Sequence, residues 1–397
     1  MRSAHEPDER QLRGDRIARQ SPAATRASAA ARIAAELPDP ETARWYRAPG
    51  RVNLIGDHTD YNDGFVLPVA IDRDCVVAAR PADTVRVRSL EAGESIEVPA
   101  GGGAAAESAL PPWGRYVESV VHELALRGRP PVGLDAVLSS DVPVGSGLSS
   151  SAALEVACAV ALADMAGWTP SPIELALACR AAEERAVGVP CGIMDQLVSV
   201  AGRRGCALLV DCRSLETRAV PLPDRLGLLV VYSGQARTLA SSAYAERRRA
   251  CEALARSLGL AALRDATPGQ VADDPLGRHV VAENARVLDA VASLEEGDLA
   301  RLGELLTASH ASLRDDFRVS TPELDALVDA LVAAGALGAR LTGAGFGGSV
   351  VAVCDAEIVN DVAARALVEY RRLTGLDPRS FVCRAVDGAG RLDRGAV

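Results

Sequence analysis

Short apolar runs alternate with longer apolar stretches along the chain, and glycine, proline and polar clusters separate them. Runs rich in Val, Ile and Leu predict strands at residues 47–56, 65–71, 75–80, 84–90, 134–139, 206–211, 226–232, 349–354 and 381–385. Apolar positions at helical spacing predict helices over 113–127, 150–165, 172–186 and 359–373, one that begins near residue 194, and several beyond residue 241. The elements follow no regular βαβ repeat, so the pattern predicts an α+β fold.

The length of the chain, 397 residues, is sufficient for two domains. Its first residues are rich in Ala, Arg and acidic residues without an apolar signal segment, so residues 1–28 are expected to form a disordered tail. A helical cap over residues 23–37 is the alternative, because the alanine content permits it. We expect an N-terminal domain over 29–215 and a C-terminal domain over 216–397.

Composition narrows the classes of partner. Aromatic residues make up 3% of the chain and the net charge is −10, whereas surfaces that bind nucleic acid are usually basic and carry aromatic rings. We therefore expect no nucleic-acid partner. We expect no membrane partner either, since no apolar run approaches the ~20 residues that span a bilayer. The nine cysteines show no CxxC pair, which favours reduced thiols and a cytoplasmic location.

Polar side chains crowd the segment that follows the first predicted strand. Residues 51–62 contain one arginine, two asparagines, two aspartates, a histidine, a threonine and a tyrosine. Each of these groups must be solvated or hydrogen-bonded, so crowding them adds nothing to folding. A ligand rich in hydroxyl groups needs a cluster of this kind.

A loop of glycine and serine residues precedes the helix predicted over 150–165. Gly145 and Gly147 allow backbone amides to approach an anion, and Ser149, Ser150 and Ser151 supply hydroxyl groups. The helix adds its free N–H groups and the positive end of its dipole. The loop therefore favours a polyphosphate site, although it is no Walker-type P-loop because it has no lysine. A serine-capped helix after a glycine turn is the alternative.

Two further segments carry candidate chemistry. Asp195 is a lone acid among apolar neighbours at a predicted helix start, where a helix-capping role and a catalytic role are both open. Residues 340–349 contain more glycine than a simple turn requires, which permits close approach of another backbone. A turn into the following strand is compatible with that approach.

These segments resemble the motifs of galactokinases, within the GHMP small-molecule kinase superfamily. The chain reads Gly56-Asp-His-Thr-Asp-Tyr-Asn62, Pro143-Val-Gly-Ser-Gly-Leu-Ser-Ser-Ser-Ala-Ala153, Pro190-Cys-Gly-Ile-Met-Asp-Gln196 and Gly343-Ala-Gly-Phe-Gly-Gly348. The resemblance implies a two-domain GHMP kinase fold, with a ribosomal S5 domain 2-like N-terminal domain, a ferredoxin-like C-terminal domain and the active site between them. The implied reaction is ATP-dependent phosphorylation of galactose at the C1 hydroxyl, which gives α-D-galactose 1-phosphate and ADP.

The resemblance also implies a role for each motif residue. Those implied to wrap the nucleotide phosphates are Gly145, Ser146, Gly147, Leu148, Ser149, Ser150 and Ser151. Those implied to bind the sugar are Asp57, His58, Thr59, Asp60, Gly192 and Tyr244. Asp195 would accept or orient the proton of the anomeric hydroxyl, with Arg51 as its partner. Mg²⁺ would be bound by Ser151 and Glu183, since the resemblance favours Glu183 over Glu184, which we expect to be solvated. The second glycine loop would pack against the phosphate loop.

One position within the polar cluster departs from the family pattern. Galactokinases usually carry Glu where this chain carries Asp57, which is one methylene shorter. The resemblance implies that the usual Glu reaches the C6 hydroxyl of the sugar, so we expect this chain to hold that hydroxyl through a water or more loosely. Discrimination against 6-deoxy and five-carbon sugars would then be weaker. A kinase for a related sugar is therefore one alternative. A non-catalytic sugar- and ATP-binding sensor is a second alternative, from another class, which Asp57 does not favour. We expect a monomer.

Overall fold

A computed structural model of the chain describes residues 22–103, 109–235 and 240–393. The helices in these segments are α1 Pro22–Glu36, α2 Pro112–Leu126, α3 Ser150–Met165, α4 Pro172–Val187, α5 Met194–Ala201, α6 Ala240–Ser257, α7 Pro275–Glu296, α8 Leu299–Asp315, α9 Pro322–Ala333 and α10 Val359–Thr374. The strands are β1 Arg44–Asn53, β2 Phe65–Val66, β3 Pro68–Ala82, β4 Thr84–Ser89, β5 Glu94–Pro99, β6 Gly133–Ser140, β7 Cys206–Asp211, β8 Thr217–Pro221, β9 Leu226–Tyr232, β10 Gly338–Thr342, β11 Ser349–Asp355, β12 Arg379–Cys383 and β13 Gly390–Leu392. The mixture of helices and strands confirms the predicted α+β class.

A six-stranded sheet in the order β13-β1-β3-β6-β4-β5 forms the first half of the molecule. Neighbouring strands are antiparallel except β4 and β6, which are parallel. Successive side chains of β1 reach two different apolar clusters, as the pleat requires. Trp45 packs with Ile33 of α1, whereas Tyr46 belongs to the main core with residues of α2, α3 and α4.

Helix α3 runs through this main core. Ten of its sixteen residues are buried, because apolar side chains surround it on all sides. Glu155 is the one acidic residue among those ten, and it is completely buried. Since α3 begins at Ser150, the core holds the preceding glycine and serine loop in place at the start of the helix.

A four-stranded antiparallel sheet in the order β10-β11-β9-β12 forms the second half, and helices α9 and α10 share its apolar core. A third, small sheet has the order β2-β7-β8. The predicted domain boundary at 215/216 falls inside the β7–β8 hairpin, so it divides two paired strands. Strand β13, near the end of the chain, pairs with β1 and so belongs to the sheet of the first half of the molecule, although it lies within the predicted C-terminal domain.

The predicted tail over residues 1–28 is described only in part. Residues 1–21 lie outside the described residues, and α1 begins at Pro22, so the helical alternative applies to residues 22–28. Arg32 of this helix donates hydrogen bonds to Ser139 at 3.0 Å and Asp141 at 3.0 Å, which attaches α1 to the end of β6.

No helix within the described segments is long and apolar enough to cross a membrane. All nine cysteines lie in those segments as free thiols.

Candidate active site

A cavity of about 270 Å³ opens where the two halves of the molecule meet. Its walls come from the polar cluster after β1, the segment from α4 to α5, helix α6 and the second glycine loop. The lining residues are Arg51, Asp57, His58, Asp60, Glu183, Val187, Val189, Pro190, Cys191, Gly192, Met194, Asp195, Tyr244, Gly343 and Ala344.

Arg51 and Asp195 form an ion pair in the wall of this cavity. Arg51 Nε lies 2.8 Å and Nη2 lies 2.7 Å from Asp195 Oδ1. Ser149 Oγ donates to the other carboxylate oxygen, Oδ2, at 2.6 Å. Arg51 Nη1 also donates to Gly147 O at 2.6 Å. The predicted catalytic pair is therefore in direct contact with the glycine and serine loop.

Backbone contacts fix the glycine and serine loop against the end of β1. Arg51 N donates to Leu148 O at 3.1 Å, just where the register between β1 and β3 shifts. A Cβ at Gly50 would lie 2.6 Å from the same carbonyl oxygen, closer than carbon and oxygen atoms can approach. Glycine at position 50 thus permits the contact that places Arg51 beside the loop.

The loop turns sharply before α3. Gly145, Gly147 and Ser149 have φ values of 74°, 85° and 58°. Ser149 occupies the N-cap position, but its hydroxyl donates to Asp195 and does not cap the helix. The first amides of α3 therefore have no side-chain cap and point out of the helix end, where an anion can accept from them.

Two residues predicted to contact nucleotide phosphates have side chains that face inward. Ser146 Oγ donates to Pro143 O at 2.7 Å, and the side chain of Leu148 is completely buried in the main core. Only the backbone groups of these two residues remain for a phosphate, so their predicted part in wrapping the phosphates would fall to the backbone. Ser349 Oγ donates to Ser146 O at 2.6 Å, so the second glycine loop does pack against the first.

Glu183 reaches the same end of α3. Its Oε1 accepts from Ser151 Oγ at 2.8 Å, and its Oε2 accepts from Gln196 Nε2 at 2.6 Å. The same Gln196 nitrogen lies 3.0 Å from Glu155 Oε2. Burial, and then the charge of Asp195, raises the pKa of Glu183; burial, and then the charge of Glu183, raises the pKa of Glu155.

Ser151 and Glu183 offer hard oxygen atoms of the kind that Mg²⁺ prefers. Within the described part of the chain, no three His, Cys, Asp or Glu side chains form a metal cluster. Mg²⁺ often takes only one or two protein ligands together with phosphate oxygens and water, so this pair fits such an ion. The side chain of Glu184, which we expected to be solvated, is 34% exposed, and it also accepts from Cys191 N at 3.2 Å in the segment before Asp195.

Five of the six residues predicted to bind the sugar line the cavity, namely Asp57, His58, Asp60, Gly192 and Tyr244. A Cβ at Gly192 would overlap the Asp60 carboxylate, so the carboxylate lies directly against the glycine. Burial, and then the charge of Asp195, raises the pKa of Asp60 to about 7.

The ring of His58 is neutral over the ordinary pH range. Burial, and then the charge of His279, lowers its pKa to about 3. Its Nδ1 lies 2.9 Å from Tyr61 OH, and its ring centroid lies 5.8 Å from that of Tyr244. The ring is therefore held by aromatic neighbours from both halves of the molecule, and it has no cationic charge to offer a ligand.

Thr59 does not line the cavity, which corrects the prediction for this residue. Its hydroxyl is buried between Gly56 O, at 2.7 Å, and Phe65 O, at 2.6 Å. It stabilises the turn that carries His58 and Asp60.

Asp57 lines the cavity, but both of its carboxylate oxygens are already hydrogen-bonded. Arg340 Nη2 lies 2.5 Å from Oδ2, and Gly343 N donates to Oδ1 at 3.2 Å. The side chains of Asp57 and Arg340 are 3% and 0% exposed. Burial raises the pKa of Asp57, and the charge of Arg340 opposes that shift. Asp57 therefore connects the first polar cluster to the second glycine loop.

Sequence reasoning did not assign roles to Arg340, Gln196 and Glu155. Arg340 begins the second glycine-rich segment, and the structure places it in the fully buried strand β10, which the sequence pattern did not predict. Gln196 directly follows Asp195, and Glu155 is the one acid inside an otherwise apolar stretch of α3. Such isolated polar residues at buried positions indicate hydrogen-bond networks.

Three family profiles match the chain. A profile described as "Galactokinase galactose-binding signature" matches residues 36–81, "GHMP kinases N terminal domain" matches residues 115–203, and "GHMP kinases C terminal" matches residues 290–370. A galactokinase of Roseiflexus sp. (strain RS-1) is 48% identical over 361 residues, which cover 87% of this chain and 92% of the relative.

Solved structures agree with these matches. A structure of Lactococcus lactis galactokinase in complex with galactose has a TM-score of 0.84 and 31% identity, and the match covers 91% of this chain and 98% of that one. Methanococcus jannaschii mevalonate kinase has a TM-score of 0.63 at 19% identity, covering 87% and 99% of the two chains, which shows a shared fold alone. The predicted two-domain GHMP kinase fold is thus confirmed, and the chain belongs to the galactokinase family of the GHMP kinase superfamily.

Proposed function

We propose that the protein transfers the terminal phosphoryl group of ATP to the C1 hydroxyl of galactose, giving α-D-galactose 1-phosphate and ADP. The observation that supports this most directly is the position of Asp195. Its carboxylate lies in the wall of the cavity, and it is hydrogen-bonded both to Arg51 and to Ser149 of the glycine and serine loop. An acceptor hydroxyl in the cavity and a phosphate at the loop would meet beside this carboxylate.

The sugar would lie against Asp60, His58, Gly192 and Tyr244. Asp60 accepts hydrogen bonds from ring hydroxyls near C3 and C4, and the bare backbone of Gly192 leaves space for that carboxylate. Asp57 would act on the sugar less directly, since Arg340 and Gly343 already occupy its oxygens.

The nucleotide phosphates would accept from the loop backbone at Gly145 to Leu148, the first amides of α3 and the hydroxyls of Ser150 and Ser151. A divalent cation, Mg²⁺, would be bound by Ser151 and Glu183, and it would offset the negative charge of the phosphates. Arg51 places a second positive charge at the point where phosphoryl transfer occurs.

Phosphoryl transfer passes through a loose transition state, so catalysis consists mainly of orienting the reacting groups and stabilising their charge. Asp195 orients the C1 hydroxyl and accepts its proton. Because the transition state is loose, the proton leaves late, after the bond from phosphorus to the ADP oxygen has largely broken. Ser149 and Arg51 fix both oxygens of Asp195 and thereby its direction.

A coupled assay of ADP release across a panel of sugars tests the proposal. Galactose should give the highest kcat/KM, with 6-deoxygalactose and L-arabinose next, because both oxygens of the short Asp57 side chain are occupied and hold the C6 hydroxyl only weakly. A higher kcat/KM for one of these two would favour the kinase for a related sugar. Binding of galactose and ATP without ADP release would favour the non-catalytic sensor.

Gly192→Ala is expected to displace the Asp60 carboxylate, because the new Cβ would occupy its place. A misplacement of about 1 Å in such a site costs about 100-fold in rate, so kcat/KM for galactose should fall by about that factor. Gly269→Ala is the matched control, since its φ is not positive and no atom lies within 4 Å of its new Cβ. Steady-state kinetics measure both, and an unchanged kcat/KM for Gly192→Ala would remove Asp60 from sugar binding.

The pH profile of kcat/KM for galactose should report the titration of Asp60. Its pKa of about 7 means that the carboxylate is protonated at lower pH and can no longer accept from two sugar hydroxyls. We expect kcat/KM to fall about tenfold per unit below pH 7. His58 does not add to this limb, because its pKa is about 3. Asp60→Asn should lower kcat/KM and flatten the profile; an unchanged limb in that variant would assign the titration to another group.

The cytoplasmic location and the monomeric state stay predictions. The free thiols of all nine cysteines fit a reducing compartment.

A further inference from the structure

Glu155 and Gln196 lie behind the proposed cation ligand Glu183 without lining the cavity. Both are completely buried, and they come from different helices, α3 and α5. The amide nitrogen of Gln196 lies between the two acids, 2.6 Å from Glu183 Oε2 and 3.0 Å from Glu155 Oε2. An amide group has two N–H donors, so it can serve both carboxyl groups at once.

The hydrogen bonds leave only one direction for the Glu183 carboxyl group. Its Oε1 is held by Ser151 Oγ at 2.8 Å and its Oε2 by Gln196. Gln196 could turn away from Glu183 if nothing held it on its other side, and within the described residues Glu155 is the second acceptor of its amide nitrogen.

The chemical type of the donor matters as much as its position. Asp195 is held by the guanidinium of Arg51, which offsets its charge. Glu183 is held instead by a neutral amide and a neutral hydroxyl, so its orientation is fixed while its negative charge remains available to a cation. Partners behind metal ligands commonly orient them in this way.

We propose that Glu155 is a positioning residue which, through Gln196, sets the orientation of Glu183 for a divalent cation bound with the nucleotide. This inference rests on the proposed function, because that function assigns the cation to Ser151 and Glu183. Glu155 touches neither substrate nor cation, and it acts through one hydrogen bond to Gln196.

The test is the binding of Mn²⁺, measured by electron paramagnetic resonance, to the full-length protein with a non-hydrolysable ATP analogue. Glu155→Leu removes the acceptor at similar volume, and the Kd for Mn²⁺ should rise about 10- to 100-fold. The Kd for galactose, measured by calorimetry, should not change. Glu155→Gln keeps an acceptor oxygen for Gln196 and should recover most of the lost Mn²⁺ affinity.

Gln196→Met tests the same proposal independently, because it removes the amide that joins Glu155 to Glu183. It replaces Glu155→Leu in the test if thermal melts show that Glu155→Leu does not fold. It should weaken Mn²⁺ binding to the same extent. Where both single variants fold, the variant that combines Glu155→Leu with Gln196→Met should bind Mn²⁺ no more weakly than Gln196→Met alone, because Glu155 acts only through Gln196. An unchanged Kd for Mn²⁺ in Gln196→Met, or in a Glu155→Leu variant that folds, would overturn the proposal. Losses of Mn²⁺ affinity that add up in the double variant would overturn it too, as would a Glu155→Gln variant that binds Mn²⁺ as weakly as Glu155→Leu.

The outcomes separate this inference from the proposed function. If the unaltered protein phosphorylates galactose and the variants bind Mn²⁺ normally, only the role of Glu155 is refuted. If the unaltered protein releases no ADP with any sugar, the proposed function fails, whatever the variants do. A parallel rise in the Kd values for galactose and Mn²⁺ would show general damage to the cavity and would also overturn the positioning role.

Discussion

Asp195→Asn is expected to bind galactose and ATP but to lower kcat by about 10²- to 10⁴-fold, the usual contribution of a positioned acid–base group. The asparagine side chain has nearly the same shape and can still accept from Arg51 through its amide oxygen. Its amide nitrogen would face Ser149, whose hydroxyl now donates at 2.6 Å, so that hydroxyl must rotate. The variant loses the group that accepts the proton of the C1 hydroxyl while the walls of the cavity remain.

Single-turnover kinetics should place the loss in the chemical step, and calorimetry should give Kd values close to those of the unaltered protein. Asp135→Asn is the matched control, because Asp135 is exposed on β6 outside the cavity lining. It should leave both kcat and binding unchanged. Turnover near the normal rate in Asp195→Asn would remove Asp195 from the chemistry and, with it, the reaction geometry proposed above.

The sequence was informative about the site because its residues lie in compact motifs. A motif fixes several neighbours at once, so Arg51, Asp195 and the serine run could be predicted to meet although the chain does not show their distance. The failures are side-chain directions. Thr59 was predicted to bind the sugar, yet its hydroxyl satisfies a backbone carbonyl of its own turn. The hydroxyl of Ser146, for which no direction was predicted, does the same in the glycine and serine loop. Whether a hydroxyl faces a ligand or its own loop depends on the fold of the turn.

The fold was less predictable where polar residues are buried. Residues 65–71 and 75–80 were predicted as two strands because the polar run at 72–74 interrupts the apolar pattern. The structure has a short strand, β2, at Phe65–Val66 and one long strand, β3, over Pro68–Ala82. Within β3, Asp72 accepts from Arg384 N at 3.1 Å and Asp74 pairs with Arg47 at 2.9 Å. Their partners come from distant parts of the chain, so local patterning could not reveal them.

Strand β13 was not predicted, for a related reason. It has three residues, and its pairing partner β1 lies more than 300 positions earlier in the sequence. The contact between Arg47 Nη1 and Gly388 O, at 2.8 Å, helps to hold this end of the chain to the first sheet. Such a short strand is stabilised by the sheet it joins, and its own sequence carries little signal.

Arg340→Met is expected to destabilise the protein by about 3–5 kcal/mol, the usual cost of removing one member of a buried ion pair. The guanidinium is completely buried, and it lies 2.5 Å from Asp57 Oδ2 and 4.0 Å from Glu283 Oε1. Glu283 would keep other partners, since Arg286 Nε donates to it at 2.7 Å and Ser309 Oγ at 2.6 Å. Asp57 would lose its shortest hydrogen bond and keep the longer one from Gly343 N, so we expect a large part of the penalty at Asp57.

The assignment of that penalty to Asp57 can be tested directly. Adding Asp57→Asn to Arg340→Met removes the unpaired charge, so the double variant should be more stable than Arg340→Met alone in thermal and urea unfolding. Arg301→Met is the matched control, because Arg301 pairs with Glu304 on the surface and its loss should change little. If Arg340→Met unfolds like the unaltered protein, the pair does not hold the two halves together. If instead the double variant gains nothing, the cost arises from lost packing of the arginine side chain and not from the stranded charge.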